Sequence, residues 1–586
     1  MKLRKVVALV ACLGMAVPSQ SEIEAPNADA ADVVISGAKV FTVNSQQPWA
    51  EAVAVKDGRI QYVGPESGLR DLVGPDTVRY DLEGRLVLPG LIDSHTHPGM
   101  VATQQQFHML FDAEPPGQAS QTKKEVLAAL KAYAEDNPQL EVIHAGVFSP
   151  AAFGKNGPNK SDLDAIIPDR PALVIGDWSH SYWGNSRALE LAGVDSSTPD
   201  PVPGCSHYAR DPDGEPSGWM LEWVGYTALD KLVPRSVSKE IVQQFLDFLI
   251  GQGVTTIFDA GNTSHADAVY QVVSELEREG KLPVRYEASY HVYLPHQFEQ
   301  AVSEVRRLQE TYGGDRLRIN TVKIHFDGIE TLRTSAMLEP YSDAPANLGG
   351  MILDSEELKD FILELEKESI NLHIHTVGDR AVRTALDAVE KARALHGGSL
   401  GIRVSLAHVG FIDDADTSRF RELDVVANLT PQWHTSTEAS EANLRRLLGD
   451  RADKMMRAEP LLRDGAKVSF SSDIVMQEEI PVSSPYVGIQ TGHNRQAVGE
   501  GADARILKPA TERLSRELMV EGYTLSGAYQ LGMEHSLGSI EVGKRADLVV
   551  LNDNLFDVDR YAIHKVQPVA VLMNGQVVHG ALRPSP

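Results

Sequence analysis

The sequence predicts an α/β protein built on a distorted (β/α)8 TIM barrel, joined to a small composite β-sandwich domain made from both chain ends. Short apolar strand patterns alternate with amphipathic helix patterns about eight times along the middle of the chain, which is the rhythm of such a barrel. Alternating strand patterns with hairpin turns occur at both ends. A doubly wound open sheet is disfavoured because the sequence has no matching glycine-rich phosphate fingerprint.

The sandwich is predicted from two separate segments. Residues 32–88 contain "DVVISGAKVFTV" and "EAVAVKDGRIQYVG", with a hairpin turn at Asp57-Gly58. Residues 536–586 repeat this pattern in "PVAVLMNGQVVHG". Because the two ends of a chain often lie close together, the segments are expected to complete one sheet domain, and residues 89–535 are expected to form the barrel.

The N-terminus has the layout of a secretory signal peptide. A basic head is followed by the apolar run 6–17 and then by small polar residues. We predict a signal peptide over residues 1–21 and an exported protein, periplasmic or secreted; the apolar run is too short to span a membrane. The stretch "LVAC" also resembles a lipoprotein box at Cys12, but the apolar run is short before Cys12 and continues past it. Ordinary cleavage is therefore favoured over anchoring.

Composition and charge limit the partners. The chain has 586 residues, of which 42% are hydrophobic and 23% charged, and its formal net charge is −26. Nucleic acid and anionic membranes require a basic surface, so we expect neither as a partner and favour a small-molecule substrate. Cys12 and Cys205 do not form a disulfide framework or a cysteine metal site. The sequence is compatible with a monomer and with a homodimer.

His95 and His97 lie in "LIDSHTHPGM", at the end of the first predicted barrel strand. In an extended strand, residues i and i+2 project from the same face, so the two imidazoles are expected to converge on one point. That arrangement suits a metal ion. The alternative is a pair of ordinary histidines in a polar turn, and the rest of the chain must decide between them.

Other predicted strands also end in residues that can bind metal. The active site of a TIM barrel forms at the carboxyl ends of its strands. The candidate metal ligands are His95, His97, Lys323, His375, His408 and Asp473. Imidazole and carboxylate are typical zinc ligands, so we predict a divalent metal, zinc for preference, with one or two ions. Of His373 and His375 we favour His375 because it is nearer the strand end.

Lys323 is the unusual member of this set, because a free ammonium would repel a metal ion. Its presence is explained if CO₂ carboxylates the amine, since the resulting carbamate can bridge two cations. The alternative is an ion pair with nearby Asp327. His325 shares a strand face with Lys323 and could pack in the core or line the substrate site, whereas His144 and His291 are interpreted as structural.

The segment "SHSYWGNSRAL" supplies three candidate substrate-binding residues: His180, Trp183 and Asn185. The surrounding sequence is rich in aromatic residues, which suggests an apolar or aromatic pocket. Core packing would concentrate such residues equally well. Asn185 could instead cap the following helix, because asparagine is a favoured cap residue.

The matching stretches "VLPGLIDSHTHP", "GVTTIFDAG", "HTVGDRAV" and "LGSIEVGKRADLVVL" run the length of the chain. The chain resembles the metal-dependent amidohydrolase superfamily, and within amidohydrolase family 3 the branch of YtcJ-like proteins and N-substituted formamide deformylases. The resemblance implies the composite sandwich and the barrel. It also implies first-strand ligands at His95 and His97, fifth- and sixth-strand ligands at His375 and His408, and an eighth-strand acid at Asp473.

The resemblance places a carboxylated lysine at Lys323. The stretch "SSDIVMQEEIPVSSPYVGIQTG" varies around a segment that is usually shorter in the family, so it puts the identity of the substrate in doubt.

The ligand set predicts hydrolysis of a non-peptide C–N bond of the N-acyl or N-formyl type. A bound metal lowers the pKa of water and polarises a carbonyl, and Asp473 is placed to move the proton to the leaving nitrogen. The same scaffold could act on an ester or lactone, or as an isomerase. A third hypothesis is a non-catalytic binding or regulatory protein, against which the complete ligand set counts.

Overall fold

The computed structural model describes residues 30–104, 107–111, 121–154, 156–176, 179–233 and 236–585. The predicted signal peptide over residues 1–21 and the candidate lipoprotein residue Cys12 lie outside these residues. Within the part of the chain that is described, no helix is long and apolar enough to span a membrane.

The N-terminal segment forms short strands that enclose a small core. These strands are β1 (Val33–Ser36), β2 (Lys39–Phe41), β3 (Trp49–Ala50), β4 (Ala52–Lys56), β5 (Arg59–Gly64), β6 (Val78–Asp81) and β7 (Leu86–Pro89). Four of them form one sheet in the order β5-β4-β1-β6, and β7, β2 and β3 belong to a second sheet. Asp57 adopts a positive φ beside Gly58 at the β4–β5 turn, where the sequence predicted a hairpin.

The first barrel strand, β8 (Leu91–Thr96), is followed by an inserted sheet. Its strands are β9 (His108–Met109), β10 (Ile143–Phe148), β11 (Ala172–Gly176), β12 (Ser181–Gly184), β13 (His207–Arg210) and β14 (Pro216–Leu221). We had predicted "EVIHAGVF" and "ALVIGDWSH" as part of the barrel rhythm, but they form β10 and β11 of this insert. Buried parallel strands have the same apolar pattern in any sheet, so periodicity could not reveal their partners.

The other seven barrel strands follow this insert along the chain. They are β15 (Val254–Asp259), β16 (Arg285–Val292), β17 (Leu317–His325), β18 (Asn371–Thr376), β19 (Val404–His408), β20 (Val425–Leu429) and β21 (Val468–Phe470). With β8 they form an eight-stranded sheet in sequential order, and its neighbouring strands pair in parallel. The predicted α/β fold class with a TIM barrel is confirmed.

The C-terminal strands return to the first domain. They are β22 (Leu548–Leu551), β23 (Pro568–Met573) and β24 (Gln576–Gly580). Strand β22 pairs with β7, which produces one sheet in the order β24-β23-β22-β7-β2-β3. Both chain ends therefore contribute to the same sheet, and its apolar face packs against the four-stranded sheet through Val53, Val87 and Leu548.

Helices cover the barrel and the insert. They are α1 (Pro98–Gln104), α2 (Lys123–Asp136), α3 (Lys160–Ile166), α4 (Ser186–Ala192), α5 (Val224–Leu232), α6 (Lys239–Gly251), α7 (Ala266–Arg278), α8 (Ala301–Tyr312), α9 (Ser355–Glu368), α10 (Asp379–His396), α11 (Thr417–Leu423), α12 (Glu438–Leu448), α13 (Glu459–Arg463), α14 (Pro485–Asn494), α15 (Arg516–Gly522) and α16 (Leu525–Gln530). Apolar residues recur at helical spacing; in α6, for example, Val242, Phe245 and Leu249 are fully buried in the main core.

The barrel closes where β8 meets the segment after β21. The backbone N–H of Asp473 donates to the carbonyl of His95 at 2.9 Å, and the N–H of His97 donates to the carbonyl of Ile474 at 3.2 Å. The buried Asp93 carboxylate reinforces this seam, because it accepts hydrogen bonds from the N–H of Ser472 at 3.0 Å and from its hydroxyl at 2.5 Å. The seam therefore sets the position of two predicted ligand segments at once.

We expect Asp93→Ala to lower the free energy of unfolding by about 2 to 4 kcal/mol, because it leaves the N–H and hydroxyl of Ser472 buried without their acceptor. Urea unfolding followed by circular dichroism measures the change, and Asp93→Asn provides a milder variant. The exposed Asp76→Ala is the matched control and should change stability by less than about 0.5 kcal/mol. Equal effects of the two alanine variants would contradict the role given to the seam.

Candidate metal centre

Side chains from five barrel strands meet at the carboxyl end of the barrel. His95 Nε2 lies 3.2 Å from His97 Nε2, and Oδ1 of Asp473 lies 3.3 Å from each of these nitrogens. Nδ1 of His408 is 3.6 Å from Oδ2 of Asp473, and the Lys323 amine is 3.5 Å from His95 Nε2. The structure thus brings residues distant in sequence into one buried cluster.

Hydrogen bonds on the far side of each ring orient the two histidines of β8. His97 Nδ1 lies 2.9 Å from the carbonyl of Gly261, which can only accept, so this nitrogen carries the proton and Nε2 carries the lone pair. His95 Nδ1 contacts Nε2 of His373 at 2.9 Å, and Nδ1 of His373 contacts the Ser405 hydroxyl at 2.7 Å. With His95 Nδ1 protonated, two lone pairs face each other across 3.2 Å.

Burial favours the neutral imidazole at three of the predicted histidine ligands. It lowers the pKa of His95 and His375 well below the ordinary value, and that of His408 to about 3. Burial by itself would raise the pKa of Asp473, but the imidazoles of His97 and His408 outweigh this effect and the pKa lies below its ordinary value. The cluster therefore offers neutral nitrogens and an anionic oxygen, which is the protonation state that metal ligands need.

Lys323 is fully buried beside these groups, and burial lowers the pKa of its amine to about 7. The ion pair with Asp327 that we considered does not form among the described residues. The Asp327 carboxylate instead accepts backbone N–H groups from Ala336, Val377 and Gly378 at 2.9 to 3.0 Å. A neutral amine is the form that reacts with CO₂.

The two histidines of β18 occupy different levels of the barrel. His375 lines the cavity above the cluster, its ring centroid 4.5 Å from that of His408 and 3.9 Å from that of His325. His373 lies beneath His95 and supports it through the hydrogen bond already described. His375 is thus placed among the candidate ligands, and His373 is placed to orient one.

Two residues of the site have a positive φ although neither is glycine. His408 has φ +71° and Asp473 has φ +51°, and both lie where a barrel strand passes into its loop. Such conformations cost free energy for a residue with a Cβ and persist only where the surroundings enforce them. The barrel seam holds Asp473 in this conformation.

A cavity of about 270 Å³ opens above the cluster. Its floor includes the predicted ligands, and an apolar wall is formed by Met100, Trp223, Tyr226 and Val475. His180 also lines the cavity, and its Nδ1 lies 2.6 Å from the fully buried carboxylate of Glu222. Of the predicted substrate contacts, His180 is therefore at the cavity.

Asn185 and Trp183 do not line this cavity, and their predicted substrate contacts are corrected to structural roles. Asn185 caps α4 by accepting the N–H of Ala188 at 2.9 Å, and its amide also bonds backbone groups of the insert. Trp183 is fully buried against Phe148 and Phe153. Trp183 lies in strand β12 and packs into the core of the insert, a direction that the sequence could not reveal.

Other cavity residues were missed or set aside. His291, which we interpreted as structural, lines the cavity, as do Glu330, Trp433 and Glu479. The position of His291 at the end of a barrel strand was a usable signal. Glu330 lies in a loop and Glu479 in a short 3-10 helix, Gln477–Ser483, and neither carries a local pattern that marks it as a site residue.

A model of the amidohydrolase family matches residues 79–579 of the chain. The chain belongs to the amidohydrolase family. It is 30% identical to the exoenzymes regulatory protein AepA of Pectobacterium carotovorum subsp. carotovorum over 71% of this chain and 88% of that protein. It is 26% identical to an N-substituted formamide deformylase of Arthrobacter pascens over 93% of this chain and 97% of that protein.

Among solved structures, an uncharacterized metal-dependent hydrolase of Pyrococcus horikoshii OT3 shares the fold. Its TM-score is 0.64 at 20% identity, with 90% of this chain and 99% of that one covered. This likeness supports the barrel and the sandwich. The resemblance predicted from the sequence motifs, including its branch, is confirmed by the family match and by the deformylase relative.

We expect Asn185→Ala to lower the free energy of unfolding by about 1 to 2 kcal/mol, because it removes a helix cap and buried hydrogen bonds. Catalytic parameters per folded molecule should stay within about twofold, since the side chain does not reach the cavity. Urea unfolding and steady-state kinetics on the same preparation separate the two effects. A rise in KM without a loss of stability would restore the substrate contact.

Proposed function

We propose that this amidohydrolase is a metal-dependent enzyme that hydrolyses a non-peptide C–N bond of the N-acyl or N-formyl type, with zinc as its metal. One observation carries the proposal. His95 Nε2 and His97 Nε2 lie 3.2 Å apart, with an oxygen of Asp473 3.3 Å from both. In the tautomers that carry the proton on Nδ1 of both rings, two nitrogen lone pairs and a carboxylate oxygen meet in this buried space, and a cation between them would relieve their repulsion.

The donor set fits zinc. His95, His97 and Asp473 would hold one ion, and His375 and His408 would hold a second if Lys323 carries a carbamate that bridges the two. Imidazole nitrogen with carboxylate oxygen is the usual ligand chemistry of catalytic zinc. When bound, the metal lowers the pKa of a water molecule and polarises the substrate carbonyl.

Asp473 is the residue that moves the proton in this proposal. Its carboxylate takes a proton from the attacking water and delivers it to the leaving nitrogen, which departs as the amine. The backbone bond to His95 and the positive φ fix the direction of this side chain. The His97–Gly261 and His95–His373 hydrogen bonds keep the two rings from rotating away.

The cavity supports a small substrate with an apolar part. Its volume of about 270 Å³ suits a small molecule, and its apolar wall lies beside the ligand cluster. The deformylase relative acts, by its name, on N-substituted formamides, which agrees with a C–N bond carrying an apolar substituent. An ester, a lactone or an isomerisation would use the same groups, so a product panel must separate these reactions.

A regulatory role is the second candidate, because the AepA relative is named a regulatory protein. The geometry favours catalysis. All six predicted ligands lie in or beside one buried cluster, whereas a binding protein that had lost its activity would not need to keep the orienting bonds behind His95 and His97. We also propose export, for which the N-terminal signal pattern of residues 1–21 is the support.

Chelation should abolish hydrolysis, and re-addition of Zn²⁺ should restore it. Asp473→Asn should lower kcat by about 100- to 10,000-fold even in excess Zn²⁺, because the proton carrier is lost. The assay measures products from matched N-formyl, N-acyl and ester substrates, and plasma mass spectrometry measures the bound metal.

The control is Asp453→Asn at the cavity rim, where Asp453 pairs with Arg445 at 2.5 Å. It should retain most of the activity. Full activity of the Asp473→Asn enzyme, or a purified protein that neither binds metal nor cleaves any of the three substrate types, would defeat the proposal.

Lys323→Ala should lower activity by about 100-fold or more, and acetate or propionate should restore part of it by replacing the carbamate oxygens. Intact-protein mass spectrometry and ¹³C NMR with labelled bicarbonate should detect the added CO₂ on the wild-type chain. The exposed Lys367→Ala should behave as wild type. Equal rescue by chloride, or a variant of undiminished activity, would leave Lys323 with no ligand role.

A further inference from the structure

Two carboxylates face the cavity without a basic partner. Glu479 accepts the N–H groups of Val475 and Met476, at 3.2 and 3.0 Å, and both bonds go to the same oxygen, Oε2. The other oxygen, Oε1, has no hydrogen-bond partner among the described residues, while the side chain lines the cavity. One oxygen thus holds the loop and the other is available to a ligand.

Glu330 is the second of these carboxylates. It lines the same cavity, and in the described part of the chain no Lys or Arg pairs with it. Burial raises the pKa of both groups, that of Glu479 to about 8, because the surrounding protein compensates their negative charges poorly. A positive group would relieve this cost.

The cavity offers little positive charge to an anionic ligand. Among its described lining residues the basic side chains are Lys323, at the metal end, and Lys508, at the rim. Lys508 already pairs with Glu441 at 3.2 Å, and burial favours the neutral amine of Lys323. Burial also favours the neutral imidazoles of four histidines that line the cavity: His291, His325, His375 and His408. A substrate carboxylate would therefore meet acidic groups and no free cation among these residues.

The aromatic wall strengthens this preference. Trp223 stacks on Tyr226 with ring centroids 5.1 Å apart and planes 18° apart. Val475 and Met100 pack against the same cluster, and Glu479 is hydrogen-bonded to the N–H of Val475. An apolar wall and a carboxylate joined to it by a hydrogen bond suit a substituent that is apolar along its length and ends in an ammonium group.

A separate observation shows that the cavity is built for a ligand. His325 lines it and is only 6% exposed, yet neither of its ring nitrogens has a hydrogen-bond partner in the described residues. A buried unsatisfied imidazole costs free energy that a bound molecule can recover. This signal is independent of the acidic side chains.

We infer that the cavity selects amides whose nitrogen substituent carries an ammonium or amine group, held by Glu479 with a contribution from Glu330, and that it disfavours substrates bearing a carboxylate. The inference rests on the proposed function for the scissile bond, but the recognition itself does not depend on turnover. Specificity would then lie in the segment after Asp473, which carries Glu479.

The test uses three fragments of nearly equal size that lack a scissile bond: 4-methylbenzylammonium, 4-methylbenzyl alcohol and 4-methylbenzoate. Ligand-observed NMR titration measures their dissociation constants with the metal-loaded, full-length protein. We expect the ammonium to bind about tenfold more tightly than the alcohol. The Glu479→Gln variant should lose about tenfold for the ammonium, keep the alcohol within about twofold, and bind the benzoate no worse.

Glu478→Gln is the matched control, because Glu478 is the exposed neighbour of Glu479 and does not line the cavity. It should leave all three constants unchanged, and Glu330→Gln should repeat the Glu479→Gln result more weakly. Glu479→Gln keeps an oxygen that can accept the N–H groups of Val475 and Met476, so the fold should survive. Circular dichroism checks this.

Equal binding of the ammonium and the alcohol by the wild type would overturn the inference. So would a Glu479→Gln variant that changes only metal content, because the carboxylate would then serve the metal. Turnover is measured in parallel for three formamides whose nitrogen substituents carry the same ammonium, hydroxyl and carboxylate groups. A clear ammonium preference in binding with no hydrolysis of any formamide would count against the N-formyl reaction of the proposed function and leave the recognition site standing.

Discussion

The site depends on the closure of the barrel between β8 and the segment after β21. Asp93 reaches across this seam to Ser472, and the backbone of Asp473 bonds to that of His95. The first and last barrel strands are separated by almost 380 residues in sequence, so no local interaction can bring their side chains together. A few buried hydrogen bonds therefore set the distance between the candidate proton carrier and the β8 histidines. Breaking one of them would leave a buried polar group without a partner, which costs free energy.

Burial then decides the chemistry of the cluster. In water, histidines close to a lysine would share protons and repel one another, but inside the barrel burial favours the neutral imidazoles of His95 and His408, and Asp473 stays anionic. The Gly261 carbonyl holds the His97 ring, and the His373 ring holds that of His95, so that the two Nε2 atoms lie close together. A cation is the simplest means of relieving that contact, which ties the fold to metal chemistry.

The insert between β8 and β15 shapes what reaches this cluster. It brings Trp223 and His180 to the cavity, and it buries Trp183 and Asn185 away from it. Three residues of one motif therefore have different roles. His180 precedes β12 and lines the cavity, Trp183 lies in β12 and packs in the insert, and Asn185 caps the helix that follows. The segment carrying Glu479, which follows Asp473 in the chain, completes the cavity.

The sequence by itself determined the barrel, the β sandwich drawn from both ends and the family, because apolar periodicity and strand-end histidines are local patterns. It also indicated the six candidate ligands, since the carboxyl ends of parallel strands share one face of a barrel. Only the tertiary structure decided which strands belong to the insert, that His373 supports His95, and that Glu330 and Glu479 face the cavity. These facts depend on pairing partners and loop paths between residues far apart in the chain, and no local pattern encodes them.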